Sequence, residues 1–147
     1  MIEVNSQAID RVGRSKMSAA KIRVLIAEDH SVMRYTLCSV LRQYPEIEIV
    51  GEATNGEDAV SRAEELQPAI VLMDINMPRL DGITATRRIK ANSSQIAVLG
   101  LSVDGEPSSI DAMLRAGAVA VVPKERAIED LYEAIQRASA LHLEIRP

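Results

Sequence analysis

Five polar side chains in this sequence stand at or just after the ends of apolar runs, where β-strands are predicted to leave the core. They are Glu28, Asp29, Asp74, Ser102 and Lys124. Asp74 shows the pattern best, because VLMDINMPRLDG (71–82) passes from an apolar stretch through this acid into the turn residues Asn76 and Pro78. An unpaired carboxylate in the middle of a buried strand would cost several kcal/mol to desolvate. We therefore expect these groups together at the carboxyl ends of strands, on one edge of a sheet.

The three acids of this set indicate a metal site. Carboxylates held close together repel one another, so they need a cation to stay ionised. With oxygen ligands only, and with no His or Cys expected in the cluster, the metal implied is a hard one, Mg²⁺, with Mn²⁺ as a substitute. Taken singly, an acid at a strand end is more often a solvated loop residue or a helix cap. The convergence of several such residues favours a site.

Ser102 and Lys124 add phosphate chemistry to the metal site. A lysine ammonium is a point charge for phosphoryl oxygens, and Mg²⁺ shares its coordination sphere with phosphate. A carboxylate next to both can act as a nucleophile toward phosphorus, because the cations neutralise the charge on the transferred group. Asp74 is the predicted nucleophile.

The elements that must position these residues alternate along the chain. Apolar runs predict strands at 22–27, 47–53, 69–74, 96–102 and 118–122. Helices are predicted over about 33–44, 57–67, 82–91, 108–116 and 128–138, and in the last of them the stripe Ile128, Leu131, Ile135 and Ala138 is expected to face the core. Strands that are apolar throughout are typical of a parallel sheet covered by helices on both faces.

Composition sets limits on the class of protein. The length of 147 residues suits one domain, predicted over 21–141, with a flexible leader at 1–20 and a tail at 142–147. A net charge of −4 and only three aromatic residues, all Tyr, argue against nucleic acid as a partner of this chain. No apolar run reaches the length of a membrane span, and no membrane partner is expected. The cytoplasm is the expected compartment.

Across about residues 21–140 the sequence resembles the response-regulator receiver domain of two-component signalling. The matching stretches are VLIAEDHSVMR, GEATNGEDAV, VLMDINMPRLDG, IAVLGLS and VVPK, and the first two are most similar to receivers that precede a LuxR-type helix-turn-helix. The resemblance implies an α/β fold of the flavodoxin-like, doubly wound type, with a five-stranded parallel sheet in the order 2-1-3-4-5 and five helices.

The resemblance also implies a role for each site residue. Asp74 would accept a phosphoryl group from a histidine of a sensor histidine kinase or a phosphotransfer protein, Ser102 would be the switch hydroxyl, and Lys124 would bind the phosphate. Glu28, Asp29, Asp74 and the backbone carbonyl of Asn76 would hold Mg²⁺. A homodimer would form through the face made by the fourth helix, the fifth strand and the fifth helix.

Three positions depart from the family pattern. Val121 stands where the fifth strand usually has Tyr or Phe, and Val103 stands where a small residue commonly follows the switch hydroxyl. The family lysine is often followed by proline in a cis bond, whereas here Pro123 precedes Lys124. In the family, movement of the switch hydroxyl is coupled to movement of the aromatic ring in the fifth strand. This sequence has no such ring at position 121.

Two alternatives accompany the receiver interpretation. A metal-dependent phosphohydrolase of the haloacid dehalogenase type also uses a strand-end Asp with Mg²⁺, Lys and Ser or Thr, but its second acid would fall at Asn76, which cannot transfer a proton. The other alternative is a receiver-like interaction module that is never phosphorylated. All five site residues are present, and only Val121 favours this alternative.

Overall fold

A computed structural model describes residues 20–103 and 105–145, and side chains up to Leu141. Five strands and five α-helices alternate along the chain. They are β1 (Ile22–Ala27), α1 (Ser31–Leu41), β2 (Ile47–Ala53), α2 (Gly56–Leu66), β3 (Ile70–Asp74), α3 (Gly82–Asn92), β4 (Ala97–Ser102), α4 (Pro107–Ala116), β5 (Ala120–Pro123) and α5 (Ala127–Ile145). The leader predicted at 1–20 lies, apart from Ala20, outside the described residues.

The strands form one parallel sheet in the order β2-β1-β3-β4-β5, which confirms the predicted topology. The predicted bounds of β1 and β2 are confirmed, and β3 and β4 start one residue later than expected. β5 starts later still, at Ala120, because the N–H of Ala118 bonds to the carbonyl of Met113 and closes α4. A short 3-10 helix, Lys124–Arg126, which the sequence pattern did not indicate, joins β5 to α5.

Each face of the sheet packs against its own set of helices. On one face, strand residues such as Ile26 and Leu99 pack with α1 and α5 through Leu37 and Leu131. On the other face, residues such as Val71 pack with α2, α3 and α4. Burial on both faces explains why the strands are apolar throughout rather than alternating.

One residue of the predicted α5 stripe was assigned to the wrong surface. Leu131, Ile135 and Ala138 are buried as expected, but 59% of Ile128 is exposed. In the first turn of α5 the residue that faces the core is Ala127, which is 1% exposed and packs in the same cluster as Leu131. The helical period was correct, and the first member of the stripe was placed one residue too late.

The helices after β2 and β3 begin at side-chain caps. Asn55 Oδ1 accepts the N–H of Asp58 at 2.8 Å, and Asp81 Oδ1 accepts the N–H of Thr84 at 2.8 Å. Each cap satisfies one of the free N–H groups of a first helical turn. The caps fix where α2 and α3 start relative to the strands that lead to them.

Two contacts far from the carboxyl edge tie the helices to the sheet. The guanidinium of Arg23 in β1 donates to the last carbonyls of α2, those of Leu66 and Gln67, at 2.9 and 2.8 Å. The rings of Tyr44 and Tyr132 stack with their centroids 3.7 Å apart, which joins the connection after α1 to α5. None of the helices within residues 20–145 combines the length and hydropathy that a membrane span requires.

The loop between β3 and α3 folds back onto the strand end. The N–H of Gly82 donates to the carbonyl of Ile75 at 2.8 Å. A Cβ atom at Gly82 would lie 2.0 Å from the carbonyl oxygen of Asp74, so no side chain fits at this position. Glycine at 82 therefore lets the start of α3 lie directly against the backbone of Asp74.

Gly82→Ala is expected to lower the free energy of unfolding by about 3 kcal/mol, because backbone must move to admit the methyl group. Gly105→Ala is the control, since its Cβ would meet no atom within 4 Å and only its φ of +64° is unfavourable. It should cost about 1 kcal/mol. Urea denaturation followed by circular dichroism measures both. Equal losses in the two variants would show that the contact at Gly82 is not tight.

Candidate functional site

The strand register brings the predicted residues to one edge. Ala27 pairs with Met73, so Glu28 follows β1 at the level of Asp74, the last residue of β3. Ser102 pairs with Pro123, so Lys124 follows β5 one position beyond Ser102. The N–H of Glu28 still bonds to the carbonyl of Ala53, which extends the ladder to the acid. The side chains of Glu28, Asp74 and Ser102 are buried.

Lys124 lies between two buried carboxylates. Its Nζ atom is 2.8 Å from Glu28 Oε1 and 3.2 Å from Asp74 Oδ2. Burial alone would lower the pKa of the ammonium, but pairing with Glu28 and Asp74 more than offsets this and raises the pKa above its usual value. Lys124 is therefore charged at neutral pH, and it follows β5 and pairs with a carboxylate at the end of β1 and one at the end of β3.

Asp74 has two different oxygens. Oδ1 accepts the N–H of Asn76 at 3.2 Å, while Oδ2 is buried and forms an ion pair with Lys124 Nζ at 3.2 Å. Burial and then the negative charge of Glu28 raise the pKa of Asp74 to about 7, although the charge of Lys124 opposes them. The ammonium of Lys124 therefore lies beside one oxygen of Asp74, and the backbone N–H of Asn76 lies beside the other.

The structure corrects the expectation that no histidine would lie in the acid cluster. His30 Nδ1 is 3.2 Å from Glu28 Oε2 and 3.4 Å from Asp29 Oδ1. Ligand atoms from Glu28, Asp29, His30 and Asp74 lie within 4.8 Å of one another. His30 follows the two acids directly in the sequence, and this adjacency at a strand end was the signal that could have identified it.

The donor set fits a divalent cation. Oxygens of Glu28, Asp29 and Asp74 lie within 4.8 Å of one another, so three carboxylates share a small volume. Lys124 supplies a single positive charge, paired with Glu28 Oε1 and Asp74 Oδ2, which leaves an excess of negative charge when all three acids are ionised. A divalent cation relieves an excess of this kind. Oxygen donors of this type are the ligands that Mg²⁺ prefers.

Ser102 and Arg34 complete the surroundings of the cluster. Ser102 Oγ accepts the N–H of Gly105 at 3.1 Å, so the serine is tied to the loop that leads to α4. Arg34 of α1 donates to the carbonyl of Glu28 at 2.8 Å and to Glu52 Oε1 at 3.1 Å. Sequence reasoning missed Arg34, because its role is set by a backbone contact that no residue pattern signals.

Two of the positions that depart from the family pattern are occupied by valines that are not buried in the core. Val121 is partly exposed and packs beside Gly100 and Met113. Val103 is 57% exposed, and no cis peptide bond occurs in the described residues. Thus neither of these two positions, 103 or 121, carries an aromatic ring.

An apolar groove of about 340 Å³ opens beside the acid cluster. It runs between the start of α1 and the start of α5, and its lining is His30, Val32, Met33, Thr36, Leu37, Lys124, Ala127 and Ile128. Val32 is 78% exposed. His30 and Lys124 belong both to the groove and to the cluster, so a molecule in the groove would lie next to Asp74.

The raised pKa of Asp74 predicts a pH-dependent cost to stability in the metal-free protein. The unfolded chain ionises this group near its ordinary value of 3.8, whereas the folded chain holds the proton up to about pH 7. The contribution of the neutral Asp74 carboxyl to the free energy of unfolding is therefore lost as the pH rises through this interval. Asp74→Asn should exceed the parent in free energy of unfolding by an amount that grows about 2–3 kcal/mol between pH 5 and pH 8.

The measurement is urea denaturation in EDTA at both pH values. Glu65→Gln, at an exposed carboxylate of α2, is the matched control and should follow the parent. Parallel curves for Asp74→Asn and the parent would contradict the expectation.

Comparison with known proteins agrees with the geometry. The family model of the response regulator receiver domain matches residues 24–136. A protein-glutamate methylesterase/protein-glutamine glutaminase of Shewanella denitrificans is 44% identical over 106 residues, which are 70% of this chain and 27% of the relative. The response regulator domain of Thermotoga maritima CheB is 31% identical with a TM-score of 0.76, covering 86% of this chain and 99% of that one.

A LuxR-family DNA-binding response regulator from Staphylococcus aureus is 29% identical with a TM-score of 0.76, covering 80% of this chain and 98% of that structure. The expected similarity to LuxR-type receivers is confirmed, and the chain is also similar to receivers that are part of methylesterases. The match to the methylesterase involves its receiver part alone, and the phosphohydrolase alternative finds no support. Fold, strand order, site edge and family model agree, and this chain belongs to the response regulator receiver domain family.

Proposed function

We propose that this chain is a phosphoaccepting switch, in which Asp74 receives a phosphoryl group from the phosphohistidine of a sensor histidine kinase or a phosphotransfer protein. The observation that supports it most directly is the position of Lys124. Its ammonium is held between Glu28 Oε1 and Asp74 Oδ2, at 2.8 and 3.2 Å. A nucleophilic oxygen next to a fixed positive charge is suited to phosphoryl transfer.

The step proceeds by attack of Asp74 Oδ2 on phosphorus. A bond forms between this oxygen and phosphorus, the bond from phosphorus to the donor imidazole nitrogen breaks, and its electron pair stays on that nitrogen. The product is an acyl phosphate on Asp74. Asp74 must be ionised to attack, and neighbouring positive charge lowers the free energy of the ionised form.

The other site residues act on the transferred group. Lys124 pairs with a phosphoryl oxygen, and Ser102 moves its hydroxyl from the N–H of Gly105 to another oxygen of the group. Glu28, Asp29, Asp74 and the carbonyl of Asn76 would hold Mg²⁺, or Mn²⁺ in its place. When bound, the metal supplies positive charge beside the oxygens of the transferred group.

In this proposal the chain is a switch and not an enzyme that turns over a substrate. Phosphorylation replaces a carboxylate by a group of about −2 charge with new acceptor oxygens, which draws Ser102 and the loop after β4 toward Asp74. The output surface is the α4–β5–α5 face, where Leu114 and Val119 are 43% and 41% exposed. A homodimer through this face is the proposed phosphorylated form, and the cytoplasm, where ATP supplies the donor, is the proposed location.

The apolar groove is the proposed docking surface of the phosphohistidine donor. A donor must bring its imidazole to Asp74, and the groove is the apolar surface that adjoins the cluster at Lys124 and His30. Val32 and Ile128 are exposed on its rim and can bury against an apolar face of the partner. Small donors such as acetyl phosphate need no such surface.

Incubation with acetyl phosphate and Mg²⁺ is expected to add one phosphoryl group to the chain, observed as an intact mass increase of about 80 Da, since one carboxylate is activated. Asp74→Asn should show no increase, and EDTA should abolish the increase in the parent. Asp81→Asn, at an exposed helix cap, is the control and should be labelled as the parent is. Labelling of Asp74→Asn would show that another residue accepts the phosphoryl group, and no labelling of the parent would favour an interaction module that is never phosphorylated.

Ile128→Ser is expected to lower the rate of phosphotransfer from the phosphorylated kinase at least tenfold, about 1.4 kcal/mol, because an apolar contact in the groove is lost. Labelling by acetyl phosphate should stay unchanged. Leu141→Ser is the matched control, since Leu141 is 50% exposed at the far end of α5. Equal rates for the Ile128 and Leu141 variants would place the donor on another surface.

A further inference from the structure

We propose that Arg34 is a positioning residue of the acid cluster, which holds the peptide between Glu28 and Asp29 in the orientation that binds Mg²⁺. The inference deepens the proposed function and rests on it, since it takes these two acids as metal ligands. Among the described residues, the guanidinium forms an ion pair with Glu52 and not with an acid of the cluster. Arg34 therefore acts on the site through the backbone.

Both backbone groups of Glu28 are held by hydrogen bonds. Its N–H donates to the carbonyl of Ala53, the last residue of β2, at 3.0 Å. Its carbonyl accepts Nη1 of Arg34 at 2.8 Å. Glu28 follows the last residue of β1, so here a side chain of α1 takes the place of a neighbouring strand as the partner of the carbonyl. The peptide that leads to Asp29 is thereby fixed on the α1 side.

The guanidinium that holds this peptide is itself fixed. Its Nε atom donates to Glu52 Oε1 at 3.1 Å, and the side chain of Arg34 is only 19% exposed. A planar guanidinium presents its donors in a rigid fork, so two bonds to different acceptors determine its orientation. Glu52 also compensates the positive charge. The pair thus orients the backbone of Glu28 while adding little net charge beside the cluster.

Asp29 depends on its backbone more than the other two acids do. Lys124 pairs with the other two, whereas among the described residues Asp29 has an ion-pair contact with His30 alone. That contact is 3.4 Å long, and the side chain of His30 is 70% exposed. Mg²⁺ demands nearly ideal octahedral geometry at about 2.0–2.1 Å, so a displaced carboxylate binds it poorly. The peptide that Arg34 holds sets the direction of the Asp29 carboxylate.

Positioning and simple charge predict opposite effects of removing the guanidinium. A positive group near a cation site repels the cation, so a role by charge alone would make Arg34→Ala bind Mg²⁺ more tightly. Loss of a partner that orients metal ligands typically costs about 10–100-fold in metal affinity. We therefore expect Arg34→Ala to bind Mg²⁺ at least tenfold more weakly than the parent. Arg34→Lys keeps the charge but not the fork, and it should fall between the two.

The test is calorimetric titration of the full chain with Mg²⁺ in the absence of any phosphoryl donor. Arg23→Ala is the matched control, because Arg23 also donates to two backbone carbonyls, at 2.8 and 2.9 Å, but at the opposite edge of the sheet. Both alanine variants should lose some free energy of unfolding, whereas Arg23→Ala should bind Mg²⁺ as the parent does. Equal or tighter binding in Arg34→Ala, or the same loss in Arg23→Ala, would overturn the proposal.

The dependence of phosphorylation on Mg²⁺ gives a second readout. With acetyl phosphate as donor, the Mg²⁺ concentration for half-maximal rate should rise at least tenfold in Arg34→Ala. The rate at saturating Mg²⁺ should change less than twofold, because Asp74 and Lys124 are untouched. A lower saturated rate with an unchanged half-maximal concentration would place Arg34 in the chemical step and contradict a positioning role.

A measurement without metal separates this inference from the proposed function. The N–H of His30 donates to Glu28 Oε2 at 3.1 Å, so its exchange with solvent reports on the backbone after β1. In EDTA, amide exchange at His30 should be at least tenfold faster in Arg34→Ala than in the parent, and unchanged in Arg23→Ala. Failure of the parent to bind Mg²⁺ would contradict the proposed function, whereas unchanged exchange in Arg34→Ala would contradict the role of Arg34.

Discussion

A single ammonium group between two buried carboxylates is the constraint on which the carboxyl edge of this sheet depends. Lys124 Nζ lies 2.8 Å from Glu28 and 3.2 Å from Asp74, and the three residues follow three different strands. The pairing requires β1, β3 and β5 to end at the same level, which the register provides. A buried ion pair contributes little net stability, because desolvation offsets its attraction. The apolar packing on both faces of the sheet therefore holds the charges together.

The same oxygens are open to several positive partners. A proton on Asp74, the ammonium of Lys124 and a divalent cation each lower the repulsion among the acids, and each acts on the same group of buried oxygens. Binding of one partner reduces the gain from the next, so these equilibria are coupled. A phosphoryl group on Asp74 adds negative charge to this balance. Protonation, metal binding and phosphorylation at the cluster therefore each change the free energy of the others, whereas the apolar core carries no charge that would respond to them.

Sequence reasoning identified the strand ends because an unpaired charge is too costly in the middle of a buried strand, and it identified the site because several such residues converge on one edge. Glu28, Asp74 and Lys124 were placed correctly by this argument, and the strand order followed from the family resemblance. The inclusion of His30 and the contact of Arg34 with the carbonyl of Glu28 were not foreseen, because both depend on how α1 leaves the strand. Ile128 was misplaced because helical spacing back from Leu131 allows either Ala127 or Ile128 on the core face, and it is the smaller residue that packs there.

The stacked pair Tyr44 and Tyr132 gives this protein an unusual optical character. The chain contains three Tyr, no Trp and no Phe, so its near-ultraviolet absorption and emission come from tyrosine alone. Two of the three rings form the stack, and the third, Tyr35, is 73% exposed on α1. Circular dichroism near 280 nm is therefore dominated by one contact, in which Tyr132 also donates to Glu46. The docking of α5 can be followed in the native chain without any added probe.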